Sequence, residues 1–161
     1  NLRGSALGDS LLGDNNDNTI IGGLGNDTID GQGGIDTVSF AGSTAGVNVN
    51  IYSGSGFGYG GEAQGDTYAN VENFIGTGSN DTLIGSIYSD NLLNGGAGND
   101  VYTVDNVGDV VANHPLEAPV TRFLLAEGDV NVREDEEALV DEFRRQLELG
   151  MWAAVPVAGD G

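Results

Sequence analysis

The sequence predicts a mainly β chain built as a parallel β-roll, a right-handed solenoid of nine-residue turns, with a small C-terminal α/β (β-α-β) or helical cap. Three observations predict it: a period of nine through consecutive segments, one aliphatic residue per period held in phase, and Gly, Asn and Asp crowding the positions between.

Four segments follow one another without a gap: GSALGDSLL from Gly4, GDNNDNTII from Gly13, GGLGNDTID from Gly22 and GQGGIDTVS from Gly31. Their sixth residues are Asp9, Asn18, Asp27 and Asp36, and their eighth are Leu11, Ile20, Ile29 and Val38. A second block holds GTGSNDTLI from Gly76, GSIYSDNLL from Gly85 and, after one extra residue at Asn94, GGAGNDVYT from Gly95. Its sixth residues are Asp81, Asp90 and Asp100, and a looser copy, GEAQGDTYA from Gly61, puts Asp66 in the same place. A three-residue strand buries one side chain, hence one aliphatic per period. The six residues before it reverse the chain, which needs Gly or Asn where φ is positive and Gly where another backbone passes close.

The roll is expected over residues 1–111, with blocks at 4–39 and 76–103 and a linking segment at 40–75. In the linking segment Val47, Val49 and Ile51 alternate with Asn48, Asn50 and Tyr52, the period of a strand with one buried face. SGSGFGYGG after it reads as a flexible loop carrying Phe57 and Tyr59, and Glu62 and Glu72 read as solvated carboxylates. Residues 112–119 are a linker, interrupted by His114-Pro115 and Ala118-Pro119. The tail, 120–161, alternates strand, helix and strand: VTRFLLA, a helix over 133–149, then MWAAVPV. Leu139, Phe143 and Leu147 make one apolar stripe on that helix, Asn131 is its N-cap and Gly150 its C-cap.

Charge narrows the partners. There are 25 Asp and Glu against 5 Arg and no Lys, a net charge of −20, so the chain repels phosphates and nucleic acid is excluded. No cysteine is present, which excludes thiolate metal sites and disulfides. No apolar run approaches the roughly eighteen residues of a membrane-spanning helix. Because each copy reverses direction, copies two apart stack: Asp9 on Asp27, Asn18 on Asp36, Asp81 on Asp100, with Asp90 on the opposite side. Stacked carboxylates repel unless a cation lies between them, and one buried aliphatic does not offset the ordering of nine residues. Calcium answers both deficits: it takes about six to eight oxygens from carboxylates and exposed carbonyls, and its binding free energy becomes folding free energy.

These copies resemble the repeats-in-toxin (RTX) calcium-binding nonapeptide, GGxGxDxUx with U a large aliphatic, and Gly22–Asp30 and Gly95–Thr103 match it closely. The resemblance covers residues 4–111 and implies several Ca2+ ions held by the sixth-position side chains with carbonyls at first and third positions. Those are Gly22, Leu24, Gly31, Gly33, Gly76, Gly78, Gly95 and Ala97. Asn18 is neutral, GSALGD and GSIYSD lack the second and fourth glycines, and Asn94 breaks the phase, so fewer sites than copies are expected. The resemblance also implies a secreted, extracellular bacterial protein exported by a type I secretion system and folding on calcium afterwards, although the ending VPVAGDG matches no export signal.

No catalytic role is expected: there is one His, no Cys, and no HExxH, nucleophile elbow or phosphate loop. His114 reads as a linker residue. The alternatives are a calcium-rigidified adhesin or extracellular spacer at a cell surface, and an accessory module that helps a secreted enzyme hold acidic polysaccharide. Starting at Asn1, with no Met and no charged-then-apolar leader, the chain is expected to be a piece of a longer protein or a processed product.

Overall fold

One side chain per turn goes inward, and that spacing is realised as short strands between tight turns. The computed structural model describes residues 1–104, 106 and 108–112, and the backbone of one further strand at 122–125. In chain order the strands are β1 (Leu2–Arg3), β2 (Ser10–Leu12), β3 (Thr19–Ile21), β4 (Thr28–Asp30), β5 (Thr37–Ser39), β6 (Asn48–Asn50) and β7 (Ser55–Tyr59). After one turn of 3-10 helix at Gly61–Ala63 come β8 (Thr67–Ala69), β9 (Asn73–Ile75), β10 (Thr82–Ile84), β11 (Leu92–Asn94), β12 (Val101–Val104), β13 (Val110–Ala112) and β14 (Arg122–Leu125).

Copies two apart pair in parallel, as the reversal of each turn requires. One sheet runs β1-β3-β5-β9-β11-β13 and the other β14-β12-β10-β6-β7-β8-β4-β2. Leu11 sits beside Ile29 and Ile20 beside Val38. The two sheets face each other across a single core holding Ile20, Val38, Phe74, Leu93 and Val111 from one side and Ile29, Tyr68, Val49, Leu83 and Tyr102 from the other. Within most strands only the middle residue is buried, because successive side chains take opposite faces.

The linking segment widens one sheet only. After β5 the chain places β6 against β10, returns through antiparallel β7, and resumes the parallel stack at β8, which pairs with β4. The opposite sheet steps directly from β5 to β9. Phe40, Tyr68 and Phe74 fill the space there, Tyr68 standing edge-on to both rings at centroid distances of 6.3 and 5.6 Å.

The expected strand at Val47–Ile51 is present, with all three aliphatics buried. The expected flexible loop SGSGFGYGG is a correction: Ser55–Tyr59 is a strand hydrogen-bonded on both edges. Gly56 and Gly58 point inward because the space is already taken. A Cβ on Gly58 would meet the Tyr68 hydroxyl and Ala63, and one on Gly56 the Asn50 carbonyl. Phe57 and Tyr59 alternate outward, 60% and 56% exposed.

Arg122–Leu125, within the expected strand VTRFLLA, continues the sheet beside β12. His114, the rest of the 112–119 linker beyond Ala112, the helix over 133–149 and the MWAAVPV strand lie outside the described residues. No helix among the described residues is long and apolar enough to cross a membrane.

Core dependence should follow this division of faces. Phe74→Ala is expected to cost about 3–5 kcal/mol in urea unfolding of the calcium-loaded protein, and the outward Phe57→Ala about 0.5 kcal/mol or less. Equal losses from both would contradict the assignment of faces.

Candidate metal centre

A polar residue stands two positions before most inward side chains: Asp9 before Leu11, Asn18 before Ile20, Asp27 before Ile29, Asp36 before Val38, and so on through Asp66, Glu72, Asp81, Asn91, Asp100 and Asp109. It closes the turn, and at six of these positions its backbone N–H donates to the side chain of its counterpart on the next stacked turn. On one side the N–H of Asp9 donates to Asp27 Oδ1 (2.8 Å), that of Asp27 to Asp66 Oδ1 (2.8 Å) and that of Asp81 to Asp100 Oδ1 (2.9 Å). On the other, Asn18 donates to Asp36 (2.7 Å), Asp36 to Glu72 (2.8 Å) and Asn91 to Asp109 (2.9 Å). The expected facing pairs Asp9 with Asp27, Asn18 with Asp36 and Asp81 with Asp100 are therefore brought together.

Three residues are placed differently from expectation. Asp90 is exposed, and Asn91 holds its position in the row, because Leu93 rather than Leu92 points inward: Leu93 is 0% exposed and Leu92 39%. The extra residue of that copy lies in its turn, not after it at Asn94. Glu72, expected to be solvated, accepts the Asp36 N–H, and Asp109, not singled out by the repeat, is fully buried. Counting back two from Phe74 and Val111 would have found both.

The second carboxylate oxygen separates the turns into kinds. In four turns the second residue's own N–H donates to the sixth side chain: Ser5 to Asp9 (2.6 Å), Asp14 to Asn18 (2.8 Å), Thr77 to Asp81 (2.7 Å) and Ser86 to Asn91 (2.6 Å). In three others the second residue is left-handed, Gly23 at φ 100°, Gln32 at 73° and Gly96 at 84°, and so is the fourth, Gly25 at 120°, Gly34 at 111° and Gly98 at 125°. In two of these three, Asp27 Oδ2 and Asp36 Oδ2 are buried without any hydrogen-bond partner. A buried carboxylate oxygen left unpaired costs free energy unless a cation or donor reaches it. In the third, the Tyr102 hydroxyl donates to Asp100 Oδ2 (3.4 Å), as Tyr68 does to Asp66 Oδ2 (3.2 Å).

Comparison with protein families decides what this geometry belongs to: the model for the RTX calcium-binding nonapeptide repeat (4 copies) matches residues 3–38 and 75–111. These two segments are RTX calcium-binding repeats. The match covers most of both repeat blocks and leaves out the linking segment and the tail. The RTX repeat is a calcium-binding family and not a catalytic one. The comparison with curated proteins finds no match for the chain.

The residues present in the RTX turns fit a calcium ion. Besides the two unpaired oxygens, each first-position glycine lets oxygen atoms approach its Cα more closely than a side chain would allow. A Cβ on Gly22 would meet Asp27 Oδ2; on Gly31, Asp36 Oδ2 and the Asn70 carbonyl; on Gly76, Asp81 Oδ2 (2.6 Å) and the Gly95 carbonyl (2.8 Å). A Cβ on Gly95 would meet Asp100 Oδ2 and the Tyr102 hydroxyl. Of the third-position residues, Leu24, Gly78 and Ala97 lie exposed at turn tips and Gly33 is half-buried. Among the described residues no three carboxylate or imidazole side chains converge, so an ion here would take much of its shell from backbone carbonyls, which calcium accepts.

Burial raises the pKa of Asp36, Glu72 and Asp81, and pushes that of Asp66 up to about 6. Hydrogen bonds act the other way at the surface, the Asn16 N–H lowering Asp14 and the Asn70 amide lowering Asp30. A raised carboxylate binds more protons folded than unfolded, so its contribution is complete below the unfolded value of 3.8 and is lost as pH rises through the folded one. Asp14 and Asp30 contribute above 3.8 and lose it on further acidification. In chelator the β-signal in circular dichroism is therefore expected to be larger near pH 4.5 than at pH 7, a window set by Asp66. A larger signal at pH 7 in chelator would contradict this balance.

Proposed function

We propose that this chain is a calcium-responsive folding module, without catalytic chemistry of its own, of a secreted bacterial protein. Asp27 Oδ2 and Asp36 Oδ2, buried and without a partner among the described residues, carry the reading: they supply negative charge that a cation satisfies. Asp27 and Asp36, with the carbonyls of Gly22, Leu24, Gly31 and Gly33, are the ligands of this reading. A bound calcium supplies positive charge and a multidentate link between stacked turns.

The chain's own residues do the rest. Left-handed Gly23 and Gln32 leave the second oxygen without an N–H from their turn, and the glycines at 22 and 31 keep side chains out of the space beside it. The net charge of −20 makes the uncompensated fold self-repelling, which suits a chain kept unfolded where calcium is scarce and folded where it is abundant. Export through a type I secretion system and an extracellular location follow from this reading.

A second reading, glycan contact by an accessory module, is favoured by one observation. Phe57 and Tyr59 lie side by side on the outer sheet face, opposite Asn50 and Asn48 on β6, an aromatic and amide combination suited to sugars. Unchanged retention of the calcium-loaded protein by a uronate polymer on Phe57→Ala would dismiss it.

Titrating calcium into the chelated protein is expected to produce a cooperative gain of β-signal that magnesium does not reproduce. Asp27→Asn and Asp36→Asn should each raise the midpoint calcium concentration by about tenfold or remove an ion, since ligand charge sets calcium affinity. A signal already complete in chelator and indifferent to both substitutions would refute the proposal.

A further inference from the structure

Asp81 has the sequence of a calcium ligand but the surroundings of a satisfied anion. Its Oδ1 accepts the Val47 N–H (2.7 Å), its Oδ2 accepts the Thr77 N–H (2.7 Å), and the Thr77 hydroxyl lies at 3.1 and 3.2 Å from the two oxygens. Thr77 is itself buried, so water does not compete for these bonds. From this we infer that Thr77 takes a cation's place at Asp81, so that the turn opening the second block closes without calcium. The inference rests on calcium binding by the turns of Asp27 and Asp36.

Two further observations carry it. The closed turns tolerate a neutral side chain at the sixth position: Asn18 and Asn91 accept the N–H of Asp14 and Ser86 as Asp81 accepts that of Thr77. The three turns with left-handed second residues all have Asp there, namely Asp27, Asp36 and Asp100. At Asp27 and Asp36 a charge is retained where the second residue gives Oδ2 no N–H, and at Asn18 and Asn91 it is dispensable where the second residue donates. The backbone difference lies at the second and fourth positions, where Gly23 with Gly25 and Gly96 with Gly98 have positive φ, while Thr77 and Ser79 do not. A β-branched threonine resists that conformation, so the residue that donates to Asp81 also prevents the turn from opening.

Calcium bound per chain, counted by native mass spectrometry and isothermal titration on the full chain, tests this. Asp81→Asn, which mimics Asn18 and Asn91, should keep the wild-type number of ions, whereas Asp36→Asn should lose one. Thr77→Gly with Ser79→Gly, which gives this turn the glycines of the Gly22 turn, should gain one. An ion lost in Asp81→Asn, or none gained in the double variant, overturns the inference while the calcium reading stands. A wild-type chain that binds no calcium overturns both.

Discussion

The bond from a backbone N–H at the end of one turn to the sixth-position oxygen of the next stacked turn organises everything else. It fixes register, because it joins residues two places before each inward side chain, and so delivers Leu11 beside Ile29 and Leu83 beside Tyr102. It also sets the electrostatic problem. Turns that stack at strand spacing, about 4.8 Å, bring carboxylates into rows, and one N–H apiece satisfies only one oxygen of each.

The molecule meets the demand of the second oxygen in three ways. Ser5 and Thr77 close their own turns onto it, Tyr68 and Tyr102 bring a phenol from the eighth position, and at Asp27 and Asp36 none of the described residues reaches it. Satisfied and unsatisfied carboxylates are thus unevenly distributed along one repetitive fold. Where the backbone supplies the donor the turn is self-sufficient, and where left-handed residues withhold it the turn is costly alone and suited to a cation.

The β6–β7 insertion partitions these rows. On its side of the roll the row of Asp9, Asp27 and Asp66 ends at the hairpin, and the next position belongs to Val47, which has no side-chain oxygen and only donates its N–H to Asp81. An apolar residue therefore separates the carboxylates of the first block from those of the second. The extra strands are accommodated by large inward aromatics on one side and glycines on the other, so electrostatic separation and core packing are consequences of the same insertion.

The period of nine by itself determined which residues share a face, which copies stack, and that oxygen-rich turns alternate with single buried aliphatics. These are local properties, set by the two-residue alternation of a strand and by where glycine permits a reversal. Phase was ambiguous by one residue at Asp90 and Asn91, where two polar residues precede the two leucines Leu92 and Leu93, and only packing chose Leu93. Glu72 read as solvated because no Gly-rich turn leads to it. SGSGFGYGG read as a loop because its glycines are demanded by Tyr68, Ala63 and the Asn50 carbonyl, contacts made by other parts of the chain. The glycines at the second and fourth positions mark in the sequence most turns whose backbone turns left-handed, but only the tertiary structure decided which carboxylate oxygens receive a second donor, since that depends on how the stacked turns and the core tyrosine hydroxyls meet.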